Sequence, residues 1–509
     1  MTTLDPIVAG QAAGHRRSAL TVAADDLADT ANALLRGGFR VALVSGHDEG
    51  DSLRAVYLFT ATGPDRRVEL HVPLRRADPV VPSLAAMSFP AGRFEREMRD
   101  LYGIVPRHHP LPRRLVRHFH WPKGWYPMRA DAAEAPRFGT ADGPYPFRTV
   151  EGQGVYEIPV GPVHAGMIGP GHFRFSVVGE TILNLKARLW FTHRGVEKLF
   201  EGRRAPEGVE LAERVSGDTS VGHTLAYCQA VEDALGLDVD PAALRVRAIL
   251  LELERLYNHV ADLGALCNDV GHGILNTHAL RIREELLRLG DLATGHRLLR
   301  GAVYPGGVSV AVLPDVARLA AVGEDIAELV ELALGHSVVR DRFTGTATLT
   351  RQQAWDLGTL GYVARASGLG FDARHDHPQF QPPLPRSVHS RTDGDVLARF
   401  LVRAEEAAAS VELIQALLAD VAGYRGAPPD PARSLPAVAG SGVGIVEGWR
   451  GTIVHRIEFA DDATLARVKI VDPSFFNWPA LPVALADTIV PDFPLANKSF
   501  NLSYAGNDL

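Results

Sequence analysis

Between Arg107 and Pro146 the chain is crowded with Pro, His, Arg and Gly, and the sequence repeats with different periods on either side. Pro and Gly interrupt both helix and strand, so the stretch reads as a loop or interdomain strap. Before it, residues 39–45 and 55–61 are rich in β-branched and aromatic residues. Residues 67–73 alternate with period two, the mark of a strand. Residues 21–37 have amphipathic helical spacing. Ser83 is a candidate cap for a helix starting within 82–87, and 94–104 is a dense charged helix closed by Gly103. After the strap, strand-like entries at 154–159 and 171–178 give way to long helical periodicities at 242–264, 316–334, 352–367 and 395–422. Glu252, Arg255 and His259 share one face of the first of these. A Pro/Ala/Gly connector at 423–440 precedes a strand pair at 443–471 that turns near Asp461 and Asp462. With 509 residues, two domains are the default. The expected class is α+β: a small N-terminal α/β domain at 1–125, a linker at 126–150, and a large, mainly helical domain with peripheral β-strands at 151–509.

The net charge of -7 excludes the basic field of a nucleic-acid binder. Two cysteines, Cys228 and Cys267, are too few for a disulfide framework or a four-thiolate cluster. Both sit in apolar helical patterns and read as buried thiols. No apolar run is long enough to span a bilayer, and residues 1–20 lack the apolar core of a secretion signal. The expected location is the cytoplasm, with any membrane attachment made through partners. No Gly-x-Gly-x-x-Gly follows a strand, so direct dinucleotide binding is unsupported. His108, His109, His118 and His120 fit no structural zinc spacing. Arg113, Arg114, Arg117, His118 and His120 in the strap read equally as a solvated basic loop or as a docking surface for an acidic partner.

Two short segments carry the strongest chemical signal: Arg214-Val215-Ser216-Gly217-Asp218-Thr219 and Asp472-Pro473-Ser474-Phe475-Phe476-Asn477. The first resembles the R-x-C-G-x-C motif of the [NiFe]-hydrogenase large subunit, the second its D-P-C-x-x-C. Ser216, Thr219, Ser474 and Asn477 stand at the four thiolate positions. Nickel and iron there need soft thiolates, whereas hydroxyls and an amide are hard, weak ligands. The resemblance thus implies the scaffold without the metal centre.

It extends along most of the chain. Phe94-Glu-Arg-Glu-Met-Arg-Asp-Leu-Tyr-Gly-Ile104, then His109-Pro110 and Tyr126-Pro-Met-Arg129, resemble the 30-kDa subunit of respiratory NADH:quinone oxidoreductase, complex I. Five later segments are similar to the 49-kDa subunit and to the hydrogenase large subunit: Gly161-Pro-Val-His164 with Gly171-His-Phe-Arg174, His193-Arg-Gly-Val-Glu-Lys-Leu199, Tyr227-Cys-Gln-Ala-Val-Glu232, Arg365-Ala-Ser-Gly368 and Glu447-Gly-Trp-Arg-Gly451. The fusion of both parts resembles the large subunits of formate hydrogenlyase and hydrogenase-4, the group 4 hydrogenases.

The resemblance implies roles for particular residues. Tyr227 and His164 are candidate quinone contacts, a phenol being a neutral donor and a proton source on quinone reduction; the bland reading of Tyr227 is a core tyrosine. The family's second loop histidine aligns with Pro170 here, with His172 nearby. Glu197 matches a hydrogenase carboxylate that takes a hard cation, and without nickel a salt bridge is its alternative. Arg214 and Arg450 hold places of family arginines near the metal pocket. Buried arginines need partners, and Glu213, Asp218, Glu447 and Asp472 are the candidates for an ion-pair network in place of metal.

Three functions follow from the resemblance. The first is an electron-transfer subunit in the peripheral arm of a membrane-bound complex, passing electrons from a partner's [4Fe–4S] cluster to quinone or another acceptor. Its partners would be that small cluster-bearing protein, a ferredoxin-like subunit and antiporter-like membrane subunits, with this chain on the inner face of the membrane. The second is a non-catalytic scaffold or coupling subunit of the same complex. The third, an active [NiFe] hydrogenase, conflicts with the missing thiolates.

Overall fold

The protein is described by a computed structural model covering residues 7–8, 10–132, 136–139, 143–166, 168–379, 387–426 and 440–509. Most of the expected connector at 423–440 lies outside them. The chain divides into two compact units. One contains residues 1–149 with 189–198 and 508; the other contains 150–188, 199–507 and 509. The segment expected to be a linker, 126–150, groups with the first unit except for its last residue.

The first unit is built on a five-stranded sheet of β1 (Gln11–Gly14), β2 (Arg17–Thr21), β3 (Arg40–Asp48), β4 (Ser52–Ala61) and β5 (Arg66–Arg75). The order is β1-β2-β5-β4-β3, with β2 parallel to β5 and the other pairs antiparallel. Val56, Tyr57, Leu58 and Phe59 of central strand β4 are fully buried. Helix α1 (Leu27–Arg36) buries Leu27, Ala31 and Leu34 at helical spacing. Helix α2 (Phe89–Tyr102) starts earlier than its charge pattern suggests. Ser88 caps it by accepting from Ala91 N, and Pro90 sits in its first turn. Ser83 is not a cap; its hydroxyl donates to Glu95 Oε2 at 2.6 Å. Asp100 of α2 accepts the backbone N–H groups of Leu115, Val116 and Arg117 on one oxygen, which pins the strap to the helix.

The second unit opens with a three-stranded antiparallel sheet of β6 (Val155–Val160), β7 (His172–Val178) and β8 (Thr181–Arg188). Helices α3 (Ala205–Ala212), α4 (Ser220–Leu235), α5 (Pro241–Asp269), α6 (Gly273–Thr294), α7 (Val316–Gly335) and α8 (Val396–Asp420) follow. A second antiparallel sheet contains three strands where a pair was expected: β9 (Ser441–Gly448), β10 (Gly451–Phe459) and β11 (Leu465–Val471). Helix α4 lies directly on β9. A Cβ at Gly444 would meet Ala226 O at 1.9 Å, and one at Gly442 would meet Ala230 O at the same distance. Only glycine permits this approach, which holds the start of α4 beside the end of the sheet. A short helix, α9 (Pro473–Asn477), follows β11.

The helix expected at 352–367 is broken into Arg351–Leu357 and Gly361–Ala366. Gly358 turns the chain in the left-handed region, with φ of 69°. The backbone of Leu360, in the gap, bonds to the Asn477 side chain instead of continuing the helix. Among the described residues no helix is long and apolar enough to cross a membrane.

Candidate functional site

The two motif segments meet inside the second unit. Thr219 lies immediately before α4, and Asp472 caps α9 by accepting from Ser474 N at 2.7 Å. Ser216, Thr219, Ser474 and Asn477 are all buried, and each side chain is engaged. Asp218 Oδ1 accepts from Ser216 Oγ at 2.9 Å, Thr219 Oγ1 at 2.9 Å and Arg450 Nη1 at 2.8 Å. Arg450 Nη2 completes a bidentate pair on Oδ2 at 2.7 Å. Ser503 Oγ lies 2.8 Å from Ser216 Oγ, and Ser503 N donates to Ser474 Oγ at 2.9 Å. Trp449 Nε1 donates to Thr219 Oγ1 at 3.1 Å. Asn477 accepts from Leu360 N at 2.8 Å and donates to Leu360 O at 3.1 Å, as a neighbouring strand would.

Burial alone would raise the Asp218 pKa, but the Arg450 charge and three side-chain donors hold the carboxyl down at about 2. Arg450 is stacked 3.9 Å over the Trp449 ring and also donates to Asn501 O at 2.6 Å. The β9–β10 hairpin explains its position. Gly448 pairs with Gly451, leaving Trp449 and Arg450 as a two-residue turn.

A second chain of contacts runs from Asp472. Its Oδ2 lies 3.1 Å from His223 Nε2, and His223 Nδ1 lies 3.0 Å from His455 Nε2. Burial opposes ionisation of Asp472, yet His223 holds its carboxyl below the usual range. Burial and the neighbouring His223 push His455 far below the ordinary histidine value.

The expected single ion-pair network is divided. Asp218, Arg450 and Asp472 lie at the motif site. Glu447 belongs to a separate cluster on the Glu252, Arg255 and His259 face of α5. There Arg365 bridges Glu406 and Glu447 at 2.7 Å each, and Arg255 reaches Glu406 at 2.7 Å and Glu252 at 3.2 Å. Arg374 joins Asp372 to Glu252, and His259 Nε2 lies 3.1 Å from Glu406. Burial opposes charge on Glu406, but Arg365 and Arg255 overcome it and hold the carboxyl well below its normal range. Arg214 is in neither group. It is exposed and pairs with Glu210 at 3.1 Å and Glu213 at 3.6 Å, because the loop turns its side chain back along α3 while Val215 and Ser216 enter the core. Glu197 is buried and groups with the first unit.

Tyr227 is fully buried, and its hydroxyl donates to Ala205 O at 2.7 Å. The ring is packed against Phe200, 5.5 Å between centroids, and a Cβ at Gly208 would lie 2.2 Å from its oxygen. A narrow cavity of about 40 Å³ opens elsewhere in this unit, between Leu225, Leu251, Arg374, Leu413, Leu417 and Glu447; Tyr227 does not line it. The structure therefore places Tyr227 as a core tyrosine. His164 lies half-buried in the β6–β7 loop, with Nε2 2.7 Å from Gly171 O. His172 closes the same loop through Gly161 O at 3.2 Å.

The motif site does not fit a nickel–iron centre. Its donors are three hydroxyls and an amide, hard groups that stay un-ionised near neutral pH. Their polar atoms already bond to Asp218, Ser503, Trp449 and Leu360. Cys228 and Cys267 are buried free thiols. Burial drives Cys228 far above its ordinary pKa and Cys267 to about 12.

Comparison with known proteins matches residues 20–137 to the respiratory-chain NADH dehydrogenase 30-kDa subunit and 269–437 to the 49-kDa subunit. Hydrogenase-4 component G of Escherichia coli (strain K12) is 34% identical over 428 residues, 81% of this chain and 73% of the relative. This chain belongs to the family of fused complex I-type 30-kDa/49-kDa subunits. Formate hydrogenlyase subunit 5 of the same strain is 34% identical over 429 residues, 81% of this chain and 74% of that one. The C/D fusion protein of the NADH-quinone oxidoreductase of Phocaeicola vulgatus is 30% identical over 421 residues, 77% of this chain and 80% of that one. The fused chain is thus complex I-like and group 4 hydrogenase-related. A chain of a solved membrane-bound sulfane sulfur reductase, an archaeal respiratory membrane complex, shares the fold. Its TM-score is 0.64 at 24% identity, covering 70% of this chain and 99% of that one.

Residues that sequence reasoning missed include His223, His455, Ser503 and Trp449. His223 had a signal: it follows Thr219 by four residues, one helical turn into α4. Ser503 had none, since its role comes from a loop that returns from a distant part of the chain.

Proposed function

We propose that this chain is a peripheral-arm subunit of a membrane-bound, complex-I-like oxidoreductase complex, and that it carries no [NiFe] centre. The observation that carries this is Asp218 Oδ1, which gathers Ser216, Thr219 and Arg450 where a metal would need thiolates. The carboxylate, guanidinium and hydroxyls form a hydrogen-bonded, charge-balanced plug. In this reading electrons come from a [4Fe–4S] cluster on a small partner protein and pass to quinone or another organic acceptor, with ferredoxin-like and antiporter-like subunits completing the assembly on the inner face of the membrane. The acceptor headgroup belongs at the His164 loop. Val163 and Ile168 in that loop are 85% and 51% exposed, offering apolar surface beside the imidazole. In the tautomer whose Nε2–H donates to Gly171 O, Nδ1 is an acceptor suited to a hydroquinone O–H.

A second reading, a non-catalytic coupling subunit, is favoured by the closure around Tyr227. Nickel and iron analysis of the purified complex together with hydrogen-uptake assay tests the first claim: the expected result is far less than one nickel per chain and no uptake, and one nickel per chain overturns it. Quinone reduction by complexes carrying His164→Ala separates the two readings. A several-fold loss of rate supports electron transfer at this loop, and an unchanged rate supports coupling alone.

A further inference from the structure

We propose that the strap of the first unit is a docking face for a protein partner that presents an acidic rim around an apolar centre. The inference rests on the reading that the chain works inside a larger complex, and it goes beyond it by naming the surface and the chemistry of what covers it.

The strap carries a run of rings in tilted or edge-to-face contact. Centroids lie 5.6 Å apart for Phe119 and His120, 5.4 Å for His120 and Phe138, 6.1 Å for Phe138 and Trp125, and 5.2 Å for Trp125 and Trp121. Two of these rings remain open to water, Phe119 at 46% and Phe138 at 58% exposure. Scattered single apolar side chains need no explanation, but a contiguous aromatic patch marks an interaction site.

The patch is held in place before any partner arrives. Arg113 donates to Pro146 O at 3.0 Å, Arg114 to Gly143 O at 2.9 Å, and Gly139 N to His120 O at 3.0 Å. Asp100 fixes the near end through three backbone donors. Preset aromatic anchors lose little entropy on binding, as the hot spots of protein interfaces require.

Charge names the partner. Residues 107–149 contain eight Arg and Lys against three acids, Asp131, Glu134 and Asp142, and Asp131 is taken up by Arg76 at 2.9 Å. Lys123 and Arg137 are exposed, and Arg137 directly precedes Phe138 in the chain. Such a face repels a second copy of itself and complements carboxylates. An anionic membrane is the less favoured cover. Polybasic lipid-binding segments rely on several mobile cations, whereas here Arg113 and Arg114 are tied to carbonyls and Lys123 is the strap's lone lysine.

The test uses the full chain in its own complex. A photo-crosslinking benzoylphenylalanine replaces Phe138, the complex is purified from detergent-solubilised membranes and irradiated, and products are mapped by mass spectrometry. The expected product joins position 138 to an Asp/Glu-rich segment of another protein of the complex. Its yield should fall at least fivefold when Lys123→Glu and Arg137→Glu are added, with the melting temperature of the chain unchanged. Crosslinks only to lipid or to a second copy of this chain, absence of a product, or a yield indifferent to charge reversal overturns the proposal. If other proteins of the complex co-purify and the crosslink fails, only the docking face is wrong. If none co-purifies, the functional reading fails as well.

Discussion

Arg450 grips Asp218 through two parallel hydrogen bonds, Nη1 to Oδ1 at 2.8 Å and Nη2 to Oδ2 at 2.7 Å. The geometry matches a planar guanidinium to a carboxylate, which the point charge of lysine cannot copy. Arg450→Lys should therefore destabilise the second unit by about 2 kcal/mol, and Asp218→Asn by a similar amount, because each leaves a charge without its matched partner. The figure lies below that for a fully enclosed pair because the Asp218 side chain is 39% exposed. Urea denaturation of wild type and variants checks it; wild-type stability in both would show that the plug is ornamental.

The same pair predicts behaviour in acid. The folded pKa of Asp218, about 2, lies below its ordinary value of 3.8. Its stabilisation is present above pH ~4 and is lost as pH falls towards 2. Asp218→Asn should flatten the acid limb of the stability curve in that window.

Two glutamates act in the opposite direction. Burial pushes Glu95 up to about 7, despite donors from Ser83 and Leu84. Burial likewise raises Glu254 to about 8, although it accepts from Val221 N and Gly222 N. Their folded values exceed the unfolded one, so their contribution is present below pH ~4.5 and is lost as pH rises through 7 and 8. Thermal melts should show stability falling over that range. Glu95→Gln should remove about 3 kcal/mol of the change; an unchanged slope would place the titration elsewhere.

Tyr227→Phe should cost about 1 kcal/mol by leaving the Ala205 carbonyl unpaired in the core. Quinone reduction by the intact complex should be unaffected. A large loss of rate with stability intact would return Tyr227 to the acceptor site.

The segment after Asn477 is part of the core. Trp478 Nε1 donates to Ser503 O, Asn501 to Asp262, and Ser503 bonds Ser216 and Ser474. Mass spectrometry should find residues 478–509 attached in the mature chain, and their deletion should unfold the second unit. A stable chain ending soon after Asn477 would contradict this.

Long helices were legible because their apolar spacing persists over many turns. Residues 242–264 and 395–422 fall on α5 and α8 with modest differences at the ends. Helix α4 was legible only as an apolar helical pattern around Cys228, without bounds, because it is buried nearly all round, which erases the one-sided stripe that periodicity detects. The break is made by Gly358, a local signal masked by the apolar spacing on either side of it, and is held by Asn477, far along the chain. Ser216, Thr219, Ser474 and Asn477 were legible as a local pattern, but the bonds they make were not. Asp218 stood among four candidate partners for Arg214 and Arg450, but its pairing with Arg450 in particular and the shared role of Ser503 were not legible. Glu447 and Arg450 stand three residues apart, yet a two-residue turn sends them to different clusters, a separation that linear spacing does not show.

Asn477 has consequences for how this chain can change. Its amide clasps both the N–H and the C=O of Leu360, and a cysteine there could match neither bond. Asn477→Cys would strand two buried peptide groups and loosen the broken helix. Position 477 is thus set by the backbone it holds, independently of what stands at Ser216, Thr219 and Ser474.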